Sequence, residues 1–69
     1  MKLSDFRNTV NGIDSICLLD KTGKLISDKP ARLTELWEHG SDEIKGIELE
    51  TYMAVSGRSC IRAHIYLEA

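Results

Sequence analysis

The sequence predicts an α+β fold, with two short helices packed on one face of a four-stranded, mainly antiparallel sheet in the order α-β-β-α-β-β. Three observations point there. Residues 47–53 and 61–67 alternate apolar and polar side chains with period two, as half-buried strands do. Asp20-Lys21-Thr22-Gly23-Lys24 separates two apolar runs as a tight reversal would. Around Phe6 and around Leu36 the apolar residues instead recur at helical spacing.

Taken in order, the first helix is expected over about Ser4 to Asn11. Ser4 is a good N-cap, Asp5 suits the positive end of the helix dipole, and Gly12 offers the stop. Ile16-Cys17-Leu18-Leu19 is a compact apolar run, the pattern of a strand buried on both faces. After the Asp20–Lys24 reversal, Leu25-Ile26 is expected to return as a second strand, completing a first hairpin. Pro30 should open the second helix, where its missing N–H costs nothing, with Asp28 close by as a cap. Leu33, Leu36 and Trp37 form its apolar stripe, Arg32, Glu35 and Glu38 its wet side, and Gly40 its end.

The final third reads as a second hairpin turning at Ser56-Gly57-Arg58-Ser59. Ile47, Leu49, Thr51 and Met53 share a face with Ile61, Ala63, Ile65 and Leu67. Glu48, Glu50 and Tyr52 share the opposite face with Arg62, His64 and Tyr66, an arrangement that favours cross-strand ion pairs. The expected core is therefore Phe6, Val10, Ile16, Leu18, Leu33, Leu36, Trp37, Ile47, Leu49, Ile61 and Ile65. Gly12-x-Asp14-x-Ile16 and Gly40-x-Asp42-x-Ile44 echo each other where a helix hands over to a strand, which supports the repeated order without implying duplication.

Sixty-nine residues hold one domain, expected to span residues 1–69, with a small core and modest stability. A hydrophobic share of 42% against 29% charged residues is a globular balance and argues against disorder. A net charge of −2 provides no field for nucleic acid or an anionic membrane. No apolar run approaches the ~20 residues that cross a bilayer. Met1-Lys2-Leu3-Ser4-Asp5-Phe6 enters an amphipathic segment without the apolar stretch of a secretory signal, so a cytoplasmic location and reduced Cys17 and Cys60 are expected.

Chemistry-bearing residues are few. Cys17, Cys60, His39 and His64 are the available nucleophiles, bases and soft ligands. Cys60 and His64 share a strand face but stand about 13 Å apart along it, too far for one tetrahedral metal. Asp14, Asp20, Asp28, Asp42 and Glu43 sit at turns and caps, where backbone hydrogen bonding explains them. No phosphate-binding glycine loop and no nucleophile elbow occurs. The expectation is a non-enzyme with no cofactor and no metal.

Surfaces remain. Glu48, Glu50, Tyr52, Arg62, His64 and Tyr66 form the expected partner-binding face, whose mixed charge favours a protein partner. The alternative is a nucleic-acid platform using Arg58, Arg62 and Tyr66, with Glu48 and Glu50 opposing it. Free sheet edges and small size also favour a homo-oligomer.

The Leu3-Ser4-Asp5-Phe6 helix, the Asp20-x-x-Gly23-Lys24 hairpin, the Leu33-x-x-Leu36 helix and the closing strand Ile61-x-x-x-Ile65-x-Leu67 resemble, in layout, the small accessory proteins of bacterial phages and mobile elements. The likeness covers nearly the whole chain and includes no diagnostic motif. It implies a phage or mobile-element origin and, by similarity to anti-CRISPR proteins, inhibition of a host defence component by direct binding. It assigns no functional residue.

Overall fold

In the computed structural model, which describes residues 1–68, two helices and three strands follow in the order α1 (Leu3–Thr9), β1 (Ser15–Leu19), α2 (Leu33–Glu38), β2 (Ile44–Met53) and β3 (Ser59–Leu67). Ala69 lies outside the described residues. The sheet has three strands in the order β1-β3-β2, with β1 parallel and β2 antiparallel to β3. This corrects the expected four-stranded, mainly antiparallel sheet. The α+β class and the placement of both helices on one sheet face stand.

The missing strand is the return arm of the first hairpin. Its turn forms as read: the Asp20 carboxylate accepts the N–H groups of Thr22 at 2.8 Å and Lys24 at 3.0 Å, and Gly23 takes φ +90°. These bonds to the charged form hold Asp20 below the usual carboxylate range, with the Thr22 hydroxyl contributing most. Past the turn, however, the apolar run is only Leu25-Ile26 before Ser27-Asp28-Lys29-Pro30, and it makes a single bridge, Leu25 to Leu19. The segment still serves the outer edge of β1. Ile26 N–H donates to Leu18 O at 2.9 Å, Ala31 N–H to Ile16 O at 2.7 Å, and Leu18 N–H to Ser27 Oγ at 3.0 Å.

With that edge occupied, β1 places its other edge along β3, in register Cys17 to His64 and Leu18 to Ile65. Asp14 anchors the entry to the strand: its carboxylate accepts Ile61 N–H at 2.7 Å and pairs with Arg58 at 3.2 Å. β3 is thus the central strand, paired along both edges.

Helix boundaries also shift. α1 begins at Leu3 with Lys2 as its N-cap, and the Asp5 carboxylate accepts the Lys2 N–H at 3.3 Å. α2 begins three residues after Pro30, capped by Arg32 rather than Asp28, and Glu35 accepts the Arg32 N–H at 2.9 Å. In both helices an acidic side chain in the first turn accepts the cap residue's N–H, the reciprocal half of a capping box, while the Lys2 and Arg32 side chains supply no acceptor in return. The two helices meet end to end, where Ser4 N–H donates to Gly40 O at 3.0 Å.

Leu3 and Phe6 of α1 and Leu36 of α2 lie on Leu18, Ala63, Ile65 and Leu67, and this cluster is the core. Cys17 and Cys60 are both buried and free, outside that cluster. Of the expected core, Phe6, Leu18, Leu36 and Ile65 are buried, and Ile16 and Ile61 partly so. Val10, Leu33, Trp37, Ile47 and Leu49 are exposed, which corrects the rest. A helix of seven residues and one of six cover β1 and β3 but reach β2 only at its first residue, Ile44. The parity of β2 and β3 is as read, because Ile47 pairs with Ile65 and Leu49 with Ala63 on the core side. Trp37 stays exposed beside Leu36, the one buried residue of α2.

Candidate functional site

The antiparallel register of β2 and β3 places Glu48 opposite His64, Glu50 opposite Arg62 and Tyr52 opposite Cys60. Partners in such a ladder project to the same face. All six side chains of the expected face, Glu48, Glu50, Tyr52, Arg62, His64 and Tyr66, are therefore brought together on the side away from the helices. Contacts join Glu50, Tyr52, Arg62 and His64 into one network, and Glu48 and Tyr66 form a separate pair.

Arg62 is the hub. Its Nη1 lies 3.4 Å from Glu50 Oε1, its Nε donates to Ser15 Oγ at 3.4 Å, and its guanidinium carbon stands 4.6 Å from the centre of the Tyr52 ring. That stacking is a cation–π contact, and it leaves the guanidinium edge free for the carboxylate. His64 Nε2 lies 3.3 Å from the same Glu50 oxygen. Since an ionised carboxylate only accepts, Nε2 carries the proton in this contact. The Tyr66 hydroxyl donates to Glu48 Oε1.

These contacts set the titration of the face. The His64 hydrogen bond, aided by the Arg62 and Lys29 cations, outweighs partial desolvation and holds Glu50 below the usual carboxylate range. The Tyr66 hydroxyl is pushed above its ordinary value, first by its hydrogen bond to Glu48, since ionisation would set two anions against each other. Lys29 comes near because the segment after β1 folds over this side of the sheet; a Cβ on Gly23 would stand 3.9 Å from the Tyr66 ring. Arg58 does not join the network. It lies at the turn and is paired with Asp14.

Two carboxylates against one guanidinium leave the face slightly acidic, and both arginines of the nucleic-acid alternative are neutralised by carboxylates. Among the described residues, no three His, Cys, Asp or Glu side chains gather as a metal site would, and no cavity forms. Among the same residues, no helix is long and apolar enough to cross a membrane.

Sequence reasoning missed a second surface. Ile47, Leu49 and Met53 on β2, and Val55 just after it, are exposed at 41%, 64%, 68% and 108%. The alternation that put Ile47 and Leu49 on the core side was the available signal. The shortness of the two helices was the clue that nothing covers them. No family model matches the chain, and neither a curated protein nor a solved structure does.

Proposed function

We propose that this chain is a non-catalytic protein-binding module whose working face is Glu48, Glu50, Tyr52, Arg62, His64 and Tyr66. The observation that carries the reading is the connected network centred on Arg62, which ties Glu50, Tyr52 and Ser15 to one guanidinium. Side chains already held in place lose little freedom when a partner docks, and tyrosine and arginine are the residue types that most often anchor protein interfaces. The same network speaks against nucleic acid, because its cation is matched by a carboxylate and offers no unpaired charge to a phosphate. The layout resemblance to phage and mobile-element accessory proteins fits this role, with a host defence component as the partner class.

The test is affinity capture from bacterial lysate with and without nuclease, using the wild type and Arg62→Glu, each checked for its fold by circular dichroism. A protein retained after nuclease treatment by the wild type and lost with Arg62→Glu is the expected result. Capture that vanishes with nuclease moves the function to nucleic acid. Capture of the same protein by both chains removes this face as the site.

A further inference from the structure

The two edges of the sheet are treated differently. The outer edge of β1 is bonded by residues 25–31, whereas on β2 the N-terminus reaches only the first residue, with Ile44 N–H donating to Met1 O at 2.8 Å. From Lys45 to Met53, among the described residues, no backbone hydrogen bond meets the outer edge of β2.

Which backbone groups face outward follows from the hairpin turn. Ala54 N–H donates to Arg58 O at 2.8 Å, and the pairing Met53 to Ser59, Thr51 to Ile61 continues from there. In an antiparallel ladder, hydrogen-bonded and non-hydrogen-bonded pairs alternate. Residues 48, 50 and 52 therefore bond to β3, and Ile47, Leu49, Thr51 and Met53 turn their N–H and C=O groups outward. The bare backbone groups and the exposed apolar side chains belong to the same residues.

Edges of this kind are ordinarily blunted by proline, a bulge or an inward-pointing charge. β2 has its one irregularity at Ile44/Gly46 and carries none of these devices over Ile47–Met53. Its exposed residues instead form a palindrome about Thr51: Leu49 and Met53 lie two residues to either side, Ile47 and Val55 four.

We infer that β2 pairs antiparallel with β2 of a second copy of this chain, about a two-fold axis at Thr51, to give a continuous six-stranded sheet. In that register Thr51 faces Thr51 of the second copy and Leu49 faces Met53 of the second copy, with about six new backbone hydrogen bonds. On the polar face, Glu50 meets Tyr52 of the second copy and Glu48 meets Ala54. The two Glu50 side chains oppose only diagonally, each held by its own Arg62 and His64.

Charge excludes the neighbouring registers on the N-terminal side of Thr51, and an axis at Tyr52 pairs only residues 51–53 within the strand, with about four hydrogen bonds instead of six. A two-fold axis at Leu49 sets Glu48 directly against Glu50 of the second copy, twice, at the closer non-hydrogen-bonded positions. An axis at Glu48 or Glu50 sets a glutamate against itself. An axis at Ile47 runs the pair into the Ile44 edge that Met1 occupies. Only a second copy supplies this palindrome.

One strand edge gives each partner less than the ~800 Å² of a standard interface, so dissociation is expected at roughly 0.1 mM. The experiment is sedimentation equilibrium from about 10 µM to 1 mM, with Leu49→Lys, Leu49→Lys/Met53→Glu and Leu49→Lys/Met53→Lys beside the wild type. Both sites are exposed, so the variants keep the fold. The wild type should rise from 7.8 kDa toward twice that mass. Leu49→Lys should weaken association at least tenfold. The Lys/Glu pair should recover it and the Lys/Lys pair should not, because residue 49 meets residue 53 of the other copy.

Thr51→Cys should then form an intermolecular disulfide under mild oxidation, since hydrogen-bonded pairs hold their Cα atoms at about 5.5 Å. Leu49→Cys should not. A wild type that stays monomeric to 1 mM, association indifferent to Leu49→Lys, or faster crosslinking of Leu49→Cys than of Thr51→Cys overturns the inference. Partner capture through Arg62 is measured separately, at concentrations where the chain is monomeric, so either result can fail without the other.

Discussion

Ile65→Ala and Leu49→Ala set two aliphatic residues of one sheet side against each other. Both are read from the sequence as core, but the structure buries Ile65 completely and leaves Leu49 64% exposed. Ile65 sits on the central strand between Leu18 and Ile47 of its neighbours, beneath the helices. Removing its three outer carbons forfeits about 2.4 kcal/mol of burial at about 0.8 kcal/mol each. The cavity raises the cost to about 3–4 kcal/mol. A chain of 69 residues is worth roughly 3–10 kcal/mol in all. With a urea slope near 1 kcal/mol/M, the midpoint should fall by about 3 M, or the chain should be unfolded without denaturant. Leu49→Ala should change stability by no more than about 0.5 kcal/mol. The assay is urea unfolding followed by far-ultraviolet circular dichroism at a few micromolar chain, where self-association contributes nothing. Equal losses for the two variants would refute the reasoning, because they would mean that β2 is covered as well as β3.

Acid should act through carboxylates whose folded titration is depressed. For Glu50 the native state favours the ionised form, so its contribution is complete above the ordinary value of 4.5 and disappears as the pH falls through the lower native value. Glu35, held low first by the Arg32 N–H, and Asp20 act in the same direction. Urea midpoints between pH 7 and pH 2.5 should therefore drop below about pH 4.5 in the wild type, and less in Glu50→Gln; identical profiles would remove Glu50 from the acid response. Asp14→Ala should cost about 1.5–3 kcal/mol, because it strips a charged acceptor from the Ile61 N–H and from Arg58. Thermal unfolding checks this, and Asp14→Asn, which keeps an acceptor oxygen, should recover part of the loss.

The parts of the fold legible in the sequence are those fixed by local pattern. Period-two alternation identified β2, β3, their turn and their common faces, because one side of each strand differs in polarity from the other. The same alternation places Glu48, Glu50, Arg62 and His64 on one face. What alternation cannot supply is cover. It says that Leu49 points the way Ala63 does, and nothing about whether a six-residue helix extends that far. The Asp20–Lys24 turn misled for a related reason: a turn fixes a reversal, but a strand also needs enough residues after it, and Leu25-Ile26 runs at once into Ser27 and Asp28. The parallel partnership of β1 was hinted at by its unbroken apolar run, which parallel strands share because both faces are covered. Its pairing with β3 along the other edge depended on a contact 47 residues away.

The resulting asymmetry ties the fold to its use. A three-stranded sheet has two edges, and this chain spends residues 25–31 on one of them, including a serine hydroxyl that accepts the Leu18 N–H. An isolated edge in water costs little, so that cover is not demanded by hydrogen bonding alone. What it does is close β1 to strand addition while β2 stays open, and past Lys45 the outward-bonding residues Ile47, Leu49 and Met53 are exposed and apolar rather than charged. The paired charges that do occur on β2 lie on its other face, where Arg62 and His64 hold Glu50 and Tyr66 holds Glu48. Under the proposed reading, one strand separates two tasks by parity. Its even residues carry the polar-aromatic face proposed for a partner, and its odd residues carry the edge proposed for a second copy. If both operate, pairing at Thr51 sets two polar faces side by side on one sheet. A partner that contacts both copies should then bind more tightly to a Thr51→Cys crosslinked dimer than to the Leu49→Lys monomer. Equal affinity for the two would show that the even face works alone.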